Sequence, residues 1–181
     1  MTQATDDTLL ISIIAPDRVG LVSAVTGFVF DVGGNLADTA FAVLGEGCAL
    51  TCVVEFATPT PRGDVVAGLK ALGELDGADV TVVPFPYAVL RGEAGRSTHV
   101  IDIGGGDRPG LVARMSEVLM TYGANIVRMR SRRAERADGQ FDYVTRFVAA
   151  MPHDRTDACI AALHNTAGSL GLDCDCQPVG D

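Results

Sequence analysis

One stretch of this chain occurs twice. Ile11, Asp17, Arg18, Gly20, Leu21 and Val22 recur as Ile101, Asp107, Arg108, Gly110, Leu111 and Val112, each 90 residues on and without a gap. Gly33 and Asn35 recur as Gly123 and Asn125 at the same offset. A repeat of this length means two copies of one folding unit, and it is the first thing a fold assignment must satisfy. In 181 residues it leaves about 90 per unit, enough for two small domains.

Each copy reads strand, helix, strand, strand, helix, strand. In the first, residues 9–15 are isoleucine-rich and strand-like. Leu21, Val25, Phe28 and Val32 then recur at helical spacing, and Gly33 and Gly34 end that helix. Residues 36–44 and 48–58 form two strands around Gly45-Glu46-Gly47, a hairpin signal. Cys48, Leu50, Cys52, Val54 and Phe56 alternate onto one face. Val65, Val66, Leu69 and Leu72 make a second helix, and residues 80–83 a last strand closed by Pro84 and Pro86.

The second copy follows suit. Strands are expected at 99–103, 126–134, 141–150 and 172–178, with the middle pair turning at Ala137-Asp138-Gly139. Helices are expected around Leu111, Met115, Val118 and Tyr122, and around Ile160, Leu163, Ala167 and Leu170. A βαββαβ unit with one apolar face per helix makes an antiparallel four-stranded sheet with both helices on one side. The expectation is an α+β chain of two ferredoxin-like units in tandem, 7–86 and 97–179. Gly92, Glu93, Gly95 and Arg96 mark the linker. The other face of each sheet is either solvated or covered by a second copy.

Charge narrows the function. The chain carries 14 basic and 23 acidic residues, net −9. The first 90 residues hold 3 basic and 11 acidic side chains, net −8, and the remainder 11 and 12, net −1. This balance argues against direct nucleic-acid binding, which needs clustered cations. No apolar run approaches the ~20 residues of a membrane span, and the polar start argues against a signal peptide. A cytoplasmic protein without membrane contact is expected. The five cysteines contain no CxxC pair, so neither a disulfide framework nor a zinc knuckle is indicated. Cys48 and Cys52 read as buried small hydrophobes. Cys174 and Cys176 offer two soft ligands but no third nearby.

Catalysis has little to stand on. His99 falls in a strand, His153 in a loop and His164 mid-helix, and no two share a motif. Gly104-Gly105-Gly106 lacks the Gly-Lys-Ser/Thr of a phosphate loop. No cofactor, metal or catalytic residue is expected. An RNA-binding reading draws on Phe141, Tyr143 and Phe147, which alternate along one strand. That face also looks like the one beneath the helices, which favours a core role. Arg128, Arg130 and Arg132 form a stripe on the neighbouring strand, continued by Arg133 and Arg136. It reads as a solvated face, with docking to an acidic partner as the second reading.

The candidate site is the turn from first strand to first helix in each copy. A helix start offers unpaired N–H groups and partial positive charge, so it attracts a carboxylate. Glycine lets a ligand approach the backbone, and Pro109 suits an early helix position. Asp17 and Asp107 either hold a ligand ammonium or cap their helices. Asn35 and Asn125 start the second strand beside that loop, and either bond a ligand or close a helix-ending turn.

These residues resemble the ACT domain, a small-molecule-sensing βαββαβ module with a D-x-x-G-L loop and an asparagine opening the second strand. Two such modules filling the chain are similar to the glycine cleavage system transcriptional repressor family. N-terminal modules of phosphoserine phosphatase and formyltetrahydrofolate deformylase look alike. The resemblance implies a non-enzymatic regulator, dimeric, that binds a small amino acid such as glycine or serine where modules meet. It places the ligand at Asp17, Gly20, Leu21 and Asn35, and at Asp107, Gly110, Leu111 and Asn125. It also implies a protein partner, either a transcription regulator or, alternatively, a metabolic enzyme controlled in trans. Val19 stands where the commonest pattern has proline, and Gly105-Gly106 replaces Ala15-Pro16, so the two sites need not be equivalent.

Overall fold

A computed structural model describes residues 7–90, 92, 95–106, 108–135, 139 and 141–180. Asp107, Glu93, Arg136, Ala137 and Asp138 lie outside the described residues. The chain divides into two compact units between residues 90 and 91.

The first unit contains β1 (Thr8–Pro16), α1 (Leu21–Asp31), β2 (Gly34–Leu44), β3 (Gly47–Phe56), α2 (Arg62–Lys70) and β4 (Asp79–Pro84). Its antiparallel sheet has the order β2-β3-β1-β4. The second contains β5 (His99–Gly106), α3 (Leu111–Thr121), β6 (Asn125–Glu135), β7 (Phe141–Ala150), α4 (Thr156–Ser169) and β8 (Asp173–Pro178), in the order β6-β7-β5-β8. Both are ferredoxin-like sheets with one helix pair each.

Alternation decides the core. Leu9, Ile11, Ile13 and Ala15 of β1 are buried with Cys48, Leu50, Cys52 and Val54 of β3, beneath Leu21, Val25 and Val29 of α1 and Val65 and Leu69 of α2. The second core repeats the plan with Ile101, Ile103, Phe147 and Ala149 under Leu111, Met115, Leu119, Cys159 and Leu163. Burial pushes the Cys52 and Cys159 thiols up from their ordinary pKa. Gly33 and Gly123, at φ +78° and +73°, end the first helix of each unit in the left-handed conformation glycine favours.

The duplication reaches below the level of sequence identity. β2 has a bulge between Leu36 and Asp38, and β6 has one between Ile126 and Arg128, again 90 residues apart. Past the hairpin the offset becomes 95: Ile11 faces Cys52, and Ile101 faces Phe147. From the second helix onward it is 94, since buried Val65 and Leu69 match Cys159 and Leu163, and Ile11 faces Val82 as Ile101 faces Cys176. Aligned this way, the units differ by compensated size exchanges. A Cβ on Gly34 would lie 2.7 Å from Val54 Cγ1 and 2.9 Å from Val29 Cγ1; the second unit has Ala124 and Ala149 at the positions of Gly34 and Val54. A Cβ on Gly68 would run into the Phe28 ring, and the matching pair is Ala162 and Val118. Close packing explains why size moves between partners rather than at one position.

The candidate ligand site

The β1–α1 turn is built by one glycine. Gly20 takes φ +94° at the N-terminal boundary of α1, and Gly110 takes φ +82° at that of α3. Glycine at the boundary offers no side-chain cap, and among the described residues no side chain, Asp17 included, bonds the first-turn amides of α1. The Asp17 N–H instead donates to the Glu46 carbonyl at 3.2 Å, and residues 16–20 are exposed. In α1 the Leu21 N–H donates to Arg18 O at 3.4 Å and the Ala24 N–H to Gly20 O at 2.8 Å. Among the described residues, no backbone carbonyl accepts from the Val22 or Ser23 N–H groups. The second unit matches: Leu111 N–H to Arg108 O at 3.2 Å, Arg114 N–H to Gly110 O at 3.0 Å, with Val112 and Ala113 left over. Two amides at each helix start therefore point out of the fold beside an exposed loop, where an anion is stabilised.

The leucines of the motif do other work. Leu21 and Leu111 are buried and anchor the helix starts in the two cores. Only their backbones belong to the loop. Arg18, which the sequence reading left without a role, donates from Nη1 to Gly73 O at 3.4 Å and ties the loop to the turn after α2. The exchange of Ala15 for Gly105 has a backbone cause: Gly105 takes φ +147°, which L side chains rarely adopt, and a Cβ there would also come within 2.6 Å of Leu172 Cδ2. At the position of Leu172 the first unit has Ala78.

The asparagines are not beside the loop of their own unit. Asn35 pairs with Glu55, which pairs with Thr8 at the start of β1. The loop follows Pro16, at the other end of that strand. Eight residues of strand separate them, about 27 Å at ~3.4 Å per residue. Asn125 is placed alike: it faces Ala150, whereas Gly106, next to the second loop, faces Asp142. The reason is directional. The first helix carries the chain back across the sheet, so the second strand begins where the first began.

Other sequence readings resolve as follows. Phe147 is buried and Tyr143 half-buried against the second core, while Phe141, at the strand end beyond the helices, is 47% exposed. Arg133 does not continue the arginine stripe. It faces Tyr143 in register and lies over the Phe141 ring at 5.6 Å, on the side opposite Arg128, Arg130 and Arg132. Cys174 and Cys176 share one face of β8 with Sγ atoms 3.8 Å apart. Hydrogen bonding between them lowers the Cys174 pKa and raises that of Cys176. Among the described residues, no three histidine, cysteine or acidic side chains are grouped to hold a metal. No helix among them is long and apolar enough to cross a membrane.

Residues 99–163 match the family model described as "ACT domain". The second unit carries an ACT domain. The first unit repeats the topology of that ACT domain. No curated protein matches the chain in sequence. A crystal structure of an unknown protein from Galdieria sulphuraria has a TM-score of 0.75 at 20% identity, over 96% of this chain and 99% of that one. A proposed glycine cleavage system transcriptional repressor has a TM-score of 0.68 at 15% identity, over 96% and 98%. At these identities the likeness is one of fold: both share the tandem βαββαβ architecture with this chain.

Proposed function

We propose that this protein is a non-enzymatic regulator that binds a small amino acid at its β1–α1 loops and acts through protein contact. The observation that carries this is the pair of outward amides at each first-helix start, Val22 and Ser23 and again Val112 and Ala113, each beside a loop held open by a left-handed glycine. The amides receive the ligand carboxylate, and Asp17 and Asp107 receive its ammonium. Leu21 and Leu111 contribute backbone only. Asn35 and Asn125, at the far end of their own units, reach a ligand only when it sits on the loop of another such unit. The ligand controls association by binding one state better than another. The chain works as a homodimer in the cytoplasm, with a transcription regulator as partner in the manner of a glycine cleavage repressor; control of a metabolic enzyme in trans is the alternative. The acidic balance of the chain, net −9, supports protein contact over DNA contact.

The test is a thermal-shift panel of the twenty amino acids. A selective rise in melting temperature is expected for glycine, serine or a close relative, because a ligand stabilises by RT ln(1 + [L]/Kd). Asp17→Ala combined with Asp107→Ala is expected to abolish it. A shift that survives both substitutions refutes the site, and no shift with any amino acid refutes the function.

A further inference from the structure

The open face of the second sheet, away from α3 and α4, has an ordered charge pattern. Across β6-β7-β5-β8 the register sets a middle rung of Arg130, Arg146, Asp102 and Asp175. The rung on one side is Arg132, Val144, Gly104 and Asp173, and on the other Arg128, Val148, Val100 and Gln177. The face is therefore cationic along its β6 edge and anionic along its β8 edge, with the Arg146–Asp102 pair between them flanked by Val144, Gly104, Val148 and Val100.

Among the described residues the ion pair on this face is at its centre, and Gln177 Nε2 donates to Asp175 Oδ2 at 2.9 Å. Arg146 Nε and Nη2 donate to the two carboxylate oxygens of Asp102 at 2.6 and 2.8 Å. Outside that pair, arginine stands beside arginine and aspartate beside aspartate, and like charges directly opposite are unfavourable. Among the described residues, Arg128, Arg130 and Arg132 are exposed and have no ion-pair partner. Arg130 and Arg132 line a depression of about 380 Å³ with Asp102, Val144 and Arg146.

We propose that this face is a homodimer interface: a second copy of the chain docks on it through the same face, turned about a two-fold axis parallel to the strands. That rotation lays β6 over β8 and β7 over β5 of the second copy while keeping the rungs aligned. Arg130 then meets Asp175, Arg146 meets Asp102, Arg132 meets Asp173, and Val148 meets Val100. Each contact occurs twice, as an isologous interface requires. A two-fold axis across the strands puts Arg130 on Arg130 and is excluded by charge. A uniformly acidic partner suits the β6 edge and is repelled at the β8 edge, so the complement is a surface with the reversed order, which this face supplies itself. Four strands at ~4.8 Å spacing and the eight residues of β5 at ~3.4 Å give roughly 500 Å² per copy. The pair buries about 1,000 Å², at the lower limit for a specific interface. The dimer is thus expected to be concentration-dependent and weakened by salt.

The proposal rests on the homodimer of the preceding section, and sedimentation equilibrium of the full chain separates the two. Arg130→Asp and Asp175→Arg are each expected to weaken self-association on the order of tenfold or more, since every dimer then carries two like-charge contacts. Mixing the two variants one to one restores both contacts, one with the native sign and one reversed, so association is expected to return close to wild type. Arg132→Asp with Asp173→Arg repeats the design, and circular dichroism confirms folding of each variant. A chain monomeric at every concentration overturns both the dimer and its interface. A dimer that ignores all four substitutions, or folded variants that fail to re-associate on mixing, overturns this interface alone.

Discussion

Gly34→Ala is the sharpest test of the packing inside the first unit. Gly34 opens β2 without a positive φ, so alanine meets no backbone objection there. The objection is space. The new methyl would lie 2.7 Å from Val54 Cγ1, 2.9 Å from Val29 Cγ1 and 3.0 Å from the Val29 carbonyl. Both valines are fully buried and the carbonyl belongs to α1, so the site has no flexible end to move. Overpacking of this kind costs about 1–3 kcal/mol, against which the stiffer alanine returns about 0.5–1 kcal/mol by restricting the unfolded chain. A net loss of roughly 1–2 kcal/mol is expected. Native-state hydrogen exchange reads each unit separately. Amides of β1 and β3 should lose protection by a factor of about 5–30, with those of β5 and β7 unchanged. Gly34→Ala with Val54→Ala recreates the Ala124–Ala149 pair of the second unit, so the double variant should be more stable than the two single costs sum to, by about 0.5–3 kcal/mol. Undiminished protection in the single variant, or simple additivity in the double, would refute the size-exchange argument.

Other consequences are open to measurement. Gly20→Ala and Gly110→Ala each force alanine into the left-handed region, and chemical denaturation should show a loss of about 1–2 kcal/mol per site. Cys52 and Cys159 have raised pKa values, so the folded state holds their protons longer than the unfolded chain does. Their contribution is complete below the unfolded thiol value of about 8.5 and is lost as pH rises through it; melting temperature should therefore decline above that pH, and Cys52→Ala with Cys159→Ala should flatten the decline. Alkylation followed by mass mapping should label Cys174 first, since its pKa is lowered, and should reach buried Cys159 only on unfolding.

Most of the architecture was legible because it rests on local periodicity. Alternation along residues 9–15 and 48–56, helical spacing from Leu21, and glycine at the helix end each report a single element, and all survive in the structure. What escaped depends on direction or on partners distant in sequence. Asn35 follows the first helix closely, yet that helix reverses the chain and takes Asn35 to the far end of the sheet. Arg133 follows the stripe in sequence but, by strand pleating, sits on the other face. Gly105 looked like a change in the ligand loop, whereas it takes a backbone φ of +147° and packs against Leu172, 67 residues later. The bulges at Ala37 and Val127 leave no residue signature, because neither position holds a glycine or proline.

The central claim is that an amino acid binds at the first-helix starts. Amide chemical-shift mapping of the isotope-labelled full chain, titrated with the amino acid that gives the largest thermal shift, tests it most directly. The account predicts the largest perturbations at Gly20, Val22 and Ser23, or at Gly110, Val112 and Ala113. Saturable binding with perturbations centred elsewhere, such as on the Arg130–Arg132 face, would contradict it.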